Sequence, residues 1–292
     1  MATAMREQNV GRRSIARLWS NILTYALLAV GSTLILIPFW WLIRSSLMDP
    51  GDIFKPIASL KDFFRCSGLW KNYPDALQFM NFTGCLRNTV TITFFAMVGQ
   101  IMSASIVAYG FARMRFPGRD VLFIVLLATI MLPPQVTLIP IFKIFTTLGW
   151  YDTFFPLTVP AFFGGGVFAI FLLRQYYMTI PIEMDEAAKI DGAGTFGIFT
   201  KVILPQAKPA LGTVAIFSFM GHWNDFLGPL IYLSNPAKRT LALALWSFQG
   251  EHAVEWHLLM AAATVVMLPL LVIFFCAQKY FIQGVVISGV KG

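Results

Sequence analysis

The stretch Ile22-Leu-Thr-Tyr-Ala-Leu-Leu-Ala-Val-Gly-Ser-Thr-Leu-Ile-Leu-Ile-Pro-Phe-Trp-Trp-Leu-Ile43 decides the fold class, because it carries no charged side chain from end to end. As a helix it would be about 33 Å long, enough to cross ~30 Å of hydrocarbon. Five further apolar runs repeat the pattern, at about 88–111, 121–145, 155–176, 210–233 and 258–280. The whole chain is 57% hydrophobic and 12% charged, where soluble domains carry about 25% charged residues. A soluble core of 292 residues could not bury so much apolar surface. The expectation is an all-α, polytopic membrane protein with about six transmembrane helices.

The net charge of +8 does not point to nucleic acid, because the basic residues flank the apolar runs and form no single patch. With the N-terminus inside, thirteen Lys and Arg fall on the inner side and eight on the outer, with Lys143 within the third run. That bias favours cytoplasmic N- and C-termini. The chain then divides into a cytoplasmic tail at 1–21, a membrane domain at 22–282 and a cytoplasmic tail at 283–292. Arg6, Arg12, Arg13 and Arg17 lead straight into the first run, so that run is expected to remain as a span and not as a cleaved leader. Cys66, Cys85 and Cys276 have no zinc-ligand spacing, and His252 and His257 lack a partner at helical spacing, so no metal site is expected. A disulfide between Cys66 and Cys85 is left open.

Prolines 38, 133, 134, 140, 229 and 269 interrupt the runs, and each removes a backbone donor where lipid offers no substitute. Ala104, Ala108 and Ala112 recur every four residues, which would let another backbone approach one stripe of the second span.

One inner loop, at about 178–209, is long. It reads Ile180-Pro-Ile-Glu-Met-Asp-Glu-Ala-Ala-Lys-Ile-Asp-Gly-Ala-Gly194, then Thr-Phe-Gly-Ile-Phe-Thr-Lys-Val-Ile-Leu-Pro205. Pro181 suits a helix start, with Glu183, Asp185 and Glu186 near the positive end. Gly192 and Gly194 suit a sharp stop, and Thr195 can cap a second short helix ending before Pro205. The expected product is a helix–turn–helix at the cytoplasmic surface. Phe196, Phe199 and Ile203 would give its second helix an apolar face, which either packs under its own bundle or enters a partner's groove.

Within this loop Glu186, Ala187, Ala188, Gly192, Leu204 and Pro205 match, at the same spacing, the hallmark of the permeases of binding-protein-dependent ABC importers, with Val202 where that pattern has Ile. The chain resembles that family, and within it the smaller permease subunit of maltose-type carbohydrate importers. Tyr109-Gly-Phe-Ala-Arg-Met-Arg-Phe-Pro-Gly118, Met131-Leu-Pro-Pro-Gln-Val-Thr-Leu-Ile-Pro140, Phe171-Leu-Leu-Arg-Gln175, Trp223-Asn-Asp-Phe226 and Gln283-Gly-Val-Val-Ile-Ser-Gly-Val-Lys-Gly292 carry the resemblance over most of the chain after Asn88.

The resemblance implies a multi-pass protein of the bacterial-type inner membrane. A second permease would complete a heterodimeric pathway for a carbohydrate, two ATPase subunits would supply energy, and an extracytoplasmic solute-binding protein would deliver cargo. Residues 186–205 would couple to the ATPase, and Lys291 and Gly292 at the C-terminal tail would reach into the ATPase pair. The chain has no Gly-x-x-x-x-Gly-Lys-Ser/Thr stretch to cradle phosphate, so it is expected to bind no cofactor and to perform no catalysis. ATP and Mg are expected on the partner ATPase. The cargo alternatives are glycerol phosphate or a polyol, and the rival class is a secondary transporter.

The fifth run holds His222, Trp223, Asn224 and Asp225 at about mid-depth. A charge there should face protein or water and not lipid. His222 and Asn224 could satisfy Asp225, and Trp223 could stack on a sugar face. Both a pathway lining and a polar knot at the subunit interface stand as readings.

Overall fold

The computed structural model describes residues 2–249 and 254–289, with side chains described from residue 19 to 278 except 277, 279 onward being backbone only. Lys291, Gly292 and His252 lie outside the described residues. The described residues are helical, with one isolated β-bridge between Gln249 and Val254 and no strand. The chain forms two compact units, Met1–Ala76 with Glu255–Thr264, and Leu77–Val254 with Val265–Gly292.

In the first unit, helix α1 (Ala2–Ser46) begins within the stretch expected to be a tail and contains Pro38. Its apolar residues from Trp19 to Ile37 are exposed, a surface suited to lipid. At its far end Arg44 is buried, donating from Nε to the Arg65 carbonyl at 3.0 Å and from Nη2 to the Asp62 carbonyl at 2.9 Å. Asp62 belongs to the short helix α2 (Leu60–Phe64), which Ser59 caps through its hydroxyl. Asn72, opening α3 (Asn72–Phe79), donates to the carbonyls of Ser46 and Met48 at 2.9 and 3.0 Å. The loop after the first span is therefore stitched to the end of that span through its backbone carbonyls.

In the second unit, α4 (Phe82–Arg113) is the central element and buries Asn88, Thr89, Thr93, Ser103 and Ser105 among its apolar neighbours. After it come α5 (Arg119–Ala128) and α6 (Pro134–Thr147), an apolar pair bent by 99° across Leu132–Pro133. Pro133 and Pro134 both lack an amide hydrogen, so the ladder fails there. The fourth run is α7 (Phe155–Thr158), a 3₁₀ turn at Val159–Phe163, and α8 (Val167–Thr179). Next are α9 (Ile182–Ile190), α10 (Thr195–Ile198), a π-turn at Phe199–Ile203, and α11 (Leu204–Gln206). The fifth run is α12 (Lys208–Trp223) and α13 (Leu227–Tyr232), not one continuous helix. Helix α14 (Leu241–Trp246) follows, and α15 (Trp256–Gly289) passes through the expected start of the C-terminal tail at 283. Among the described residues four helices are long and apolar enough to span a membrane, or six if the bent pairs Arg119–Met131 with Pro134–Thr147 and Thr195–Gln206 with Lys208–Trp223 each count as one span.

The small-residue stripe of α4 does what its spacing suggests. Ala104 and Ala108 are fully buried and Ala112 packs against the same core, with Ala169, Leu173 and Tyr177 of α8. Gly165 has φ +55, and a Cβ there would stand 2.4 Å from the Ala104 amide nitrogen. Only glycine fits both that backbone conformation and that approach. Cys66, Cys85 and Cys276 are all free thiols.

Between the third and fourth runs, Asp152 has φ 55 and gathers a distant loop. Its Oδ1 accepts from the amides of Ser234 and Asn235, both at 3.0 Å, and Lys238 Nζ lies 2.9 Å from Oδ2. The Asn235 amide first, then the Lys238 ammonium, hold the Asp152 carboxyl at about 2. A folded-state value below the unfolded one stabilises above about pH 4, and that contribution is lost as pH falls toward 2. Asp152→Asn should therefore lower the thermal unfolding temperature in detergent at neutral pH. The gap from the unsubstituted protein should close between about pH 4 and pH 2; a gap that does not change with pH would show that the carboxylate charge is not what holds the loop.

Candidate functional site

The inner loop folds into an elbow. Helix α9 starts directly after Pro181 (φ −57), with Glu183 and Asp185 in its first turn and Lys189 in its last. The Asp191 amide donates to the Ala187 carbonyl and the Gly192 amide to Lys189, which closes the helix. Gly192 then turns the chain at φ +83. Two local expectations are corrected here. Gly194, not Thr195, precedes the second helical segment, and no side chain caps it. That segment also does not end before Pro205 but runs through it to Gln206. The π-turn at Phe199–Ile203 explains how: widening the ladder just before a residue that lacks an amide hydrogen keeps its ring off the preceding turn.

Three groups from the spans hold the elbow. The Arg113 and Asp185 side chains are 7% and 5% exposed and lie 3.4 Å apart. Arg113 Nη2 also donates to the Ile180 carbonyl at 2.7 Å, at the entry to α9. One turn earlier on α4, the Tyr109 hydroxyl donates to the Thr195 carbonyl at 3.2 Å, and its ring stands 5.0 Å from that of Phe199. The Tyr176 hydroxyl donates to the Gln206 carbonyl at 3.2 Å. Thus the end of α4 grips both arms of the elbow, and α8 grips its exit. The sequence placed Asp185 only as an acid near a helix start; its partner lies 72 positions away, beyond any local pattern.

The apolar stripe divides between the two readings offered for it. Phe199 and Ile203 are buried in the protein's own core, with Ala188, Val202 and Leu204 packed against it. Phe196 is 75% exposed and Ile190 86%, beside exposed Ile182 and Met184. Glu186, Ala187, Gly192 and Pro205 are exposed as well.

The second set, His222 to Asp225, lies where the fifth run breaks. Trp223 is 4% exposed, donates from Nε1 to the Val266 carbonyl at 3.3 Å and stacks on Phe219, so it is a packing residue with no face left for a sugar. Asn224 is exposed and bonds back to the Met220 carbonyl at 2.9 Å. Asp225 Oδ1 accepts from the Gly228 amide at 3.0 Å; neither His222 nor Asn224 satisfies it. Of the four, His222 and Asp225 line a cavity of about 490 Å³, together with Gln100, Gly164–Gly166 and Tyr232. The glycine run and Gln100 escaped notice in the sequence, because a three-glycine run reads as a plain loop until its partners are known.

Bent apolar helices, a cavity at their breaks and a surface elbow with exposed apolar side chains define a polytopic transport component. The chain belongs to the family of binding-protein-dependent transport system inner membrane components, whose pattern matches residues 100–287. It is thus a permease of ABC importers, and the secondary-transporter reading falls away. It is 33% identical over 267 residues to the melibiose/raffinose/stachyose import permease protein MelC of Bacillus subtilis (strain 168), covering 88% of this chain and 91% of that one. It is 37% identical over 221 residues to the osmoprotective compounds uptake permease protein GgtD of Synechocystis sp., covering 75% and 74%. A chain in the crystal structure of a bacterial ABC transporter involved in the import of the acidic polysaccharide alginate superposes with a TM-score of 0.76 at 23% identity. That match spans 89% of this chain and 96% of the other, and it shows the shared fold.

The buried ion pair yields a direct test. Asp185→Ala alone leaves Arg113 buried without its counter-charge and should destabilise the protein by about 3 kcal/mol or more. The double substitution Arg113→Met with Asp185→Leu should recover much of that loss. Thermal unfolding of the detergent-solubilised protein measures both; equal effects of the single and double changes would show that the pair carries no coupling energy.

Proposed function

We propose that this chain forms, with a second permease, the membrane pathway for a carbohydrate, and that the elbow from Glu186 to Pro205 couples that pathway to a separate ATPase. The exposure of the elbow's outer face carries the coupling reading. Ile182, Met184, Ile190 and Phe196 present apolar surface at the end of the bundle, while Arg113, Tyr109 and Tyr176 tie the same element to two spans. An element with one face anchored and the other uncovered suits docking into a groove and passing on its motion.

Without a phosphate-cradling motif of its own, the chain takes its energy from two ATPase subunits that bind ATP and Mg. A solute-binding protein outside the cell delivers the cargo. The basic bias supports cytoplasmic N- and C-termini, with residues 1–21 and 283–292 as tails flanking the membrane domain and Lys291 and Gly292 directed at the ATPase pair. The sugars named for MelC support carbohydrate as cargo. The second reading keeps the same importer class with glycerol phosphate or a polyol as cargo; the name of GgtD adds osmoprotective compounds to the solutes that relatives take up.

Proline fixes φ near −65° and lacks the amide that Gly192 donates to Lys189, so Gly192→Pro removes the turn at φ +83. The variant should still reach the membrane, since a Cβ at Gly192 meets nothing within 4 Å. Substrate-stimulated ATP turnover in the reconstituted complex should fall at least ten-fold. Cysteines at Ile190 and Phe196 should cross-link to an ATP-binding partner. Turnover at the original rate, or no cross-link in membranes that accumulate solute, would remove the coupling role.

A further inference from the structure

Two spans of the second unit are interrupted beside one another. The fourth leaves helical geometry at Gly164–Gly166, where Gly165 and Gly166 have φ +55 and +75. The fifth stops at Trp223 and resumes at Leu227. Irregular backbone within hydrocarbon persists only where protein covers it or a wet cavity solvates it, and both breaks border the 490 Å³ cavity. Its size lies in the ~300–1,000 Å³ range of ligand pockets. Gln100 on α4, Val167 on α8 and the end of α12 each lie about 18–23 Å along their helices from the elbow, so the cavity sits inside the apolar layer.

The chemistry of the lining is selective. The Ser218 hydroxyl donates to Gln100 Oε1 at 2.7 Å, which fixes the amide and leaves Nε2 beside Gly166, 2.9 Å from where a Cβ there would stand. Gly166 thus keeps a donor open to the cavity. Asp225 spends Oδ1 on the Gly228 amide, and a carboxylate oxygen is an acceptor only. His222 and the Tyr232 hydroxyl can each donate or accept. Among the described lining residues there is no Lys or Arg.

The geometry points to a cargo subsite within this subunit that takes neutral polyhydroxylated solutes and excludes anionic ones, with Asp225 as the selecting group. Hydroxyls both donate and accept, so they fit a fixed amide donor facing a carboxylate. A uronate or a phosphate would bring a second anion toward Asp225 with no Lys or Arg in the described lining to compensate, and like charges at close range repel. The inference rests on the proposed carbohydrate import and sharpens it, because it sets phosphorylated polyols and acidic sugars outside the cargo class.

The test uses the complex purified from its own membranes through a tag on this chain, with Cys66, Cys85 and Cys276 replaced and Val167→Cys placed on the cavity wall. Labelling of that introduced thiol by a membrane-impermeant maleimide is followed without the solute-binding protein, in raffinose, maltotriose, digalacturonate or glycerol 3-phosphate. Uptake of the same compounds is measured in proteoliposomes with the solute-binding protein present. At least one neutral sugar should slow labelling several-fold, and the two anions should not. Asp225→Asn retains an oxygen for the Gly228 amide while removing the charge; it should weaken neutral protection about ten-fold and narrow the gap between neutral and anionic compounds. Equal protection by anions in the Asp225 protein would overturn the inference, a comparison that stands even if the variant fails to assemble. Carbohydrate uptake with no protection of the introduced thiol by any sugar would overturn it while leaving the proposed function intact. No carbohydrate uptake at all would overturn both.

Discussion

A peptide group in hydrocarbon can find a hydrogen-bond partner only within protein or in a trapped aqueous space. That constraint shapes the second unit more than any side-chain contact does. It makes α4 and α15 long unbroken helices, and it gives every interruption a meaning. Where Pro133 and Pro134 remove two donors in succession, the chain turns by 99° between α5 and α6. Where Gly164 to Gly166 and Asn224 to Phe226 leave the helical ladder, the freed groups gather beside one cavity. Three buried polar residues of α4 follow the same rule. Asn88 donates to the carbonyls of Ala237 and Arg239, Thr89 accepts from the Leu241 amide, and Ser103 donates to the Ala161 carbonyl. Each of these polar side chains inside the bundle answers a backbone group that has left regular structure.

The elbow shows the same constraint acting at the surface of the bundle. A surface helix of nine residues is too short to be stable by itself, so its conformation is set by what holds it. Arg113 reaches the carbonyl before the helix and the carboxylate within its first turn, while Tyr109, four residues earlier on the same face of α4, reaches the second arm. Because both grips come from one rigid span, the two arms cannot turn independently of it. The buried pair adds little net stability, since desolvation offsets most of its attraction. Its effect is positional, for a displaced elbow would leave a buried charge uncompensated.

Length, periodicity and punctuation made much of this legible. Charge-free runs of about twenty residues announce spans, and Pro181, Gly192 and Gly194 bracket the elbow, because these signals act within a few residues of themselves. What escaped depended on distant partners. Asp185 looks like an ordinary helix-start acid until Arg113 stands against it. Trp223 looks like an exposed aromatic platform until the Val266 carbonyl takes its indole hydrogen. Pro205 looks like a stop signal, and would be one in a regular α-helix, but the preceding π-turn makes room for it. The helical continuation of α1 into the expected N-terminal tail was illegible for a different reason: polar helix and polar coil share a composition.

The two halves of the site are joined by continuous structure. From the elbow, α4 runs from Arg113 to Gln100, and α12 runs from Lys208 to Asp225 just past its end, so both helices that anchor or leave the elbow also carry cavity residues. The contact between them at that level is the Ser218–Gln100 hydrogen bond, from one helix to the other. A tilt of α12 against α4 would therefore alter the elbow and the cavity together, without any chain of intermediates. The small residues of α4 permit this closeness: Ala104 lets the glycine turn approach, and Ala108 lets α8 pack on the same stripe. Close packing transmits displacement because interiors have little free volume to absorb it. Under the proposed function, an access change at the cavity and a movement at the elbow would be one event seen from the two ends of the same helices.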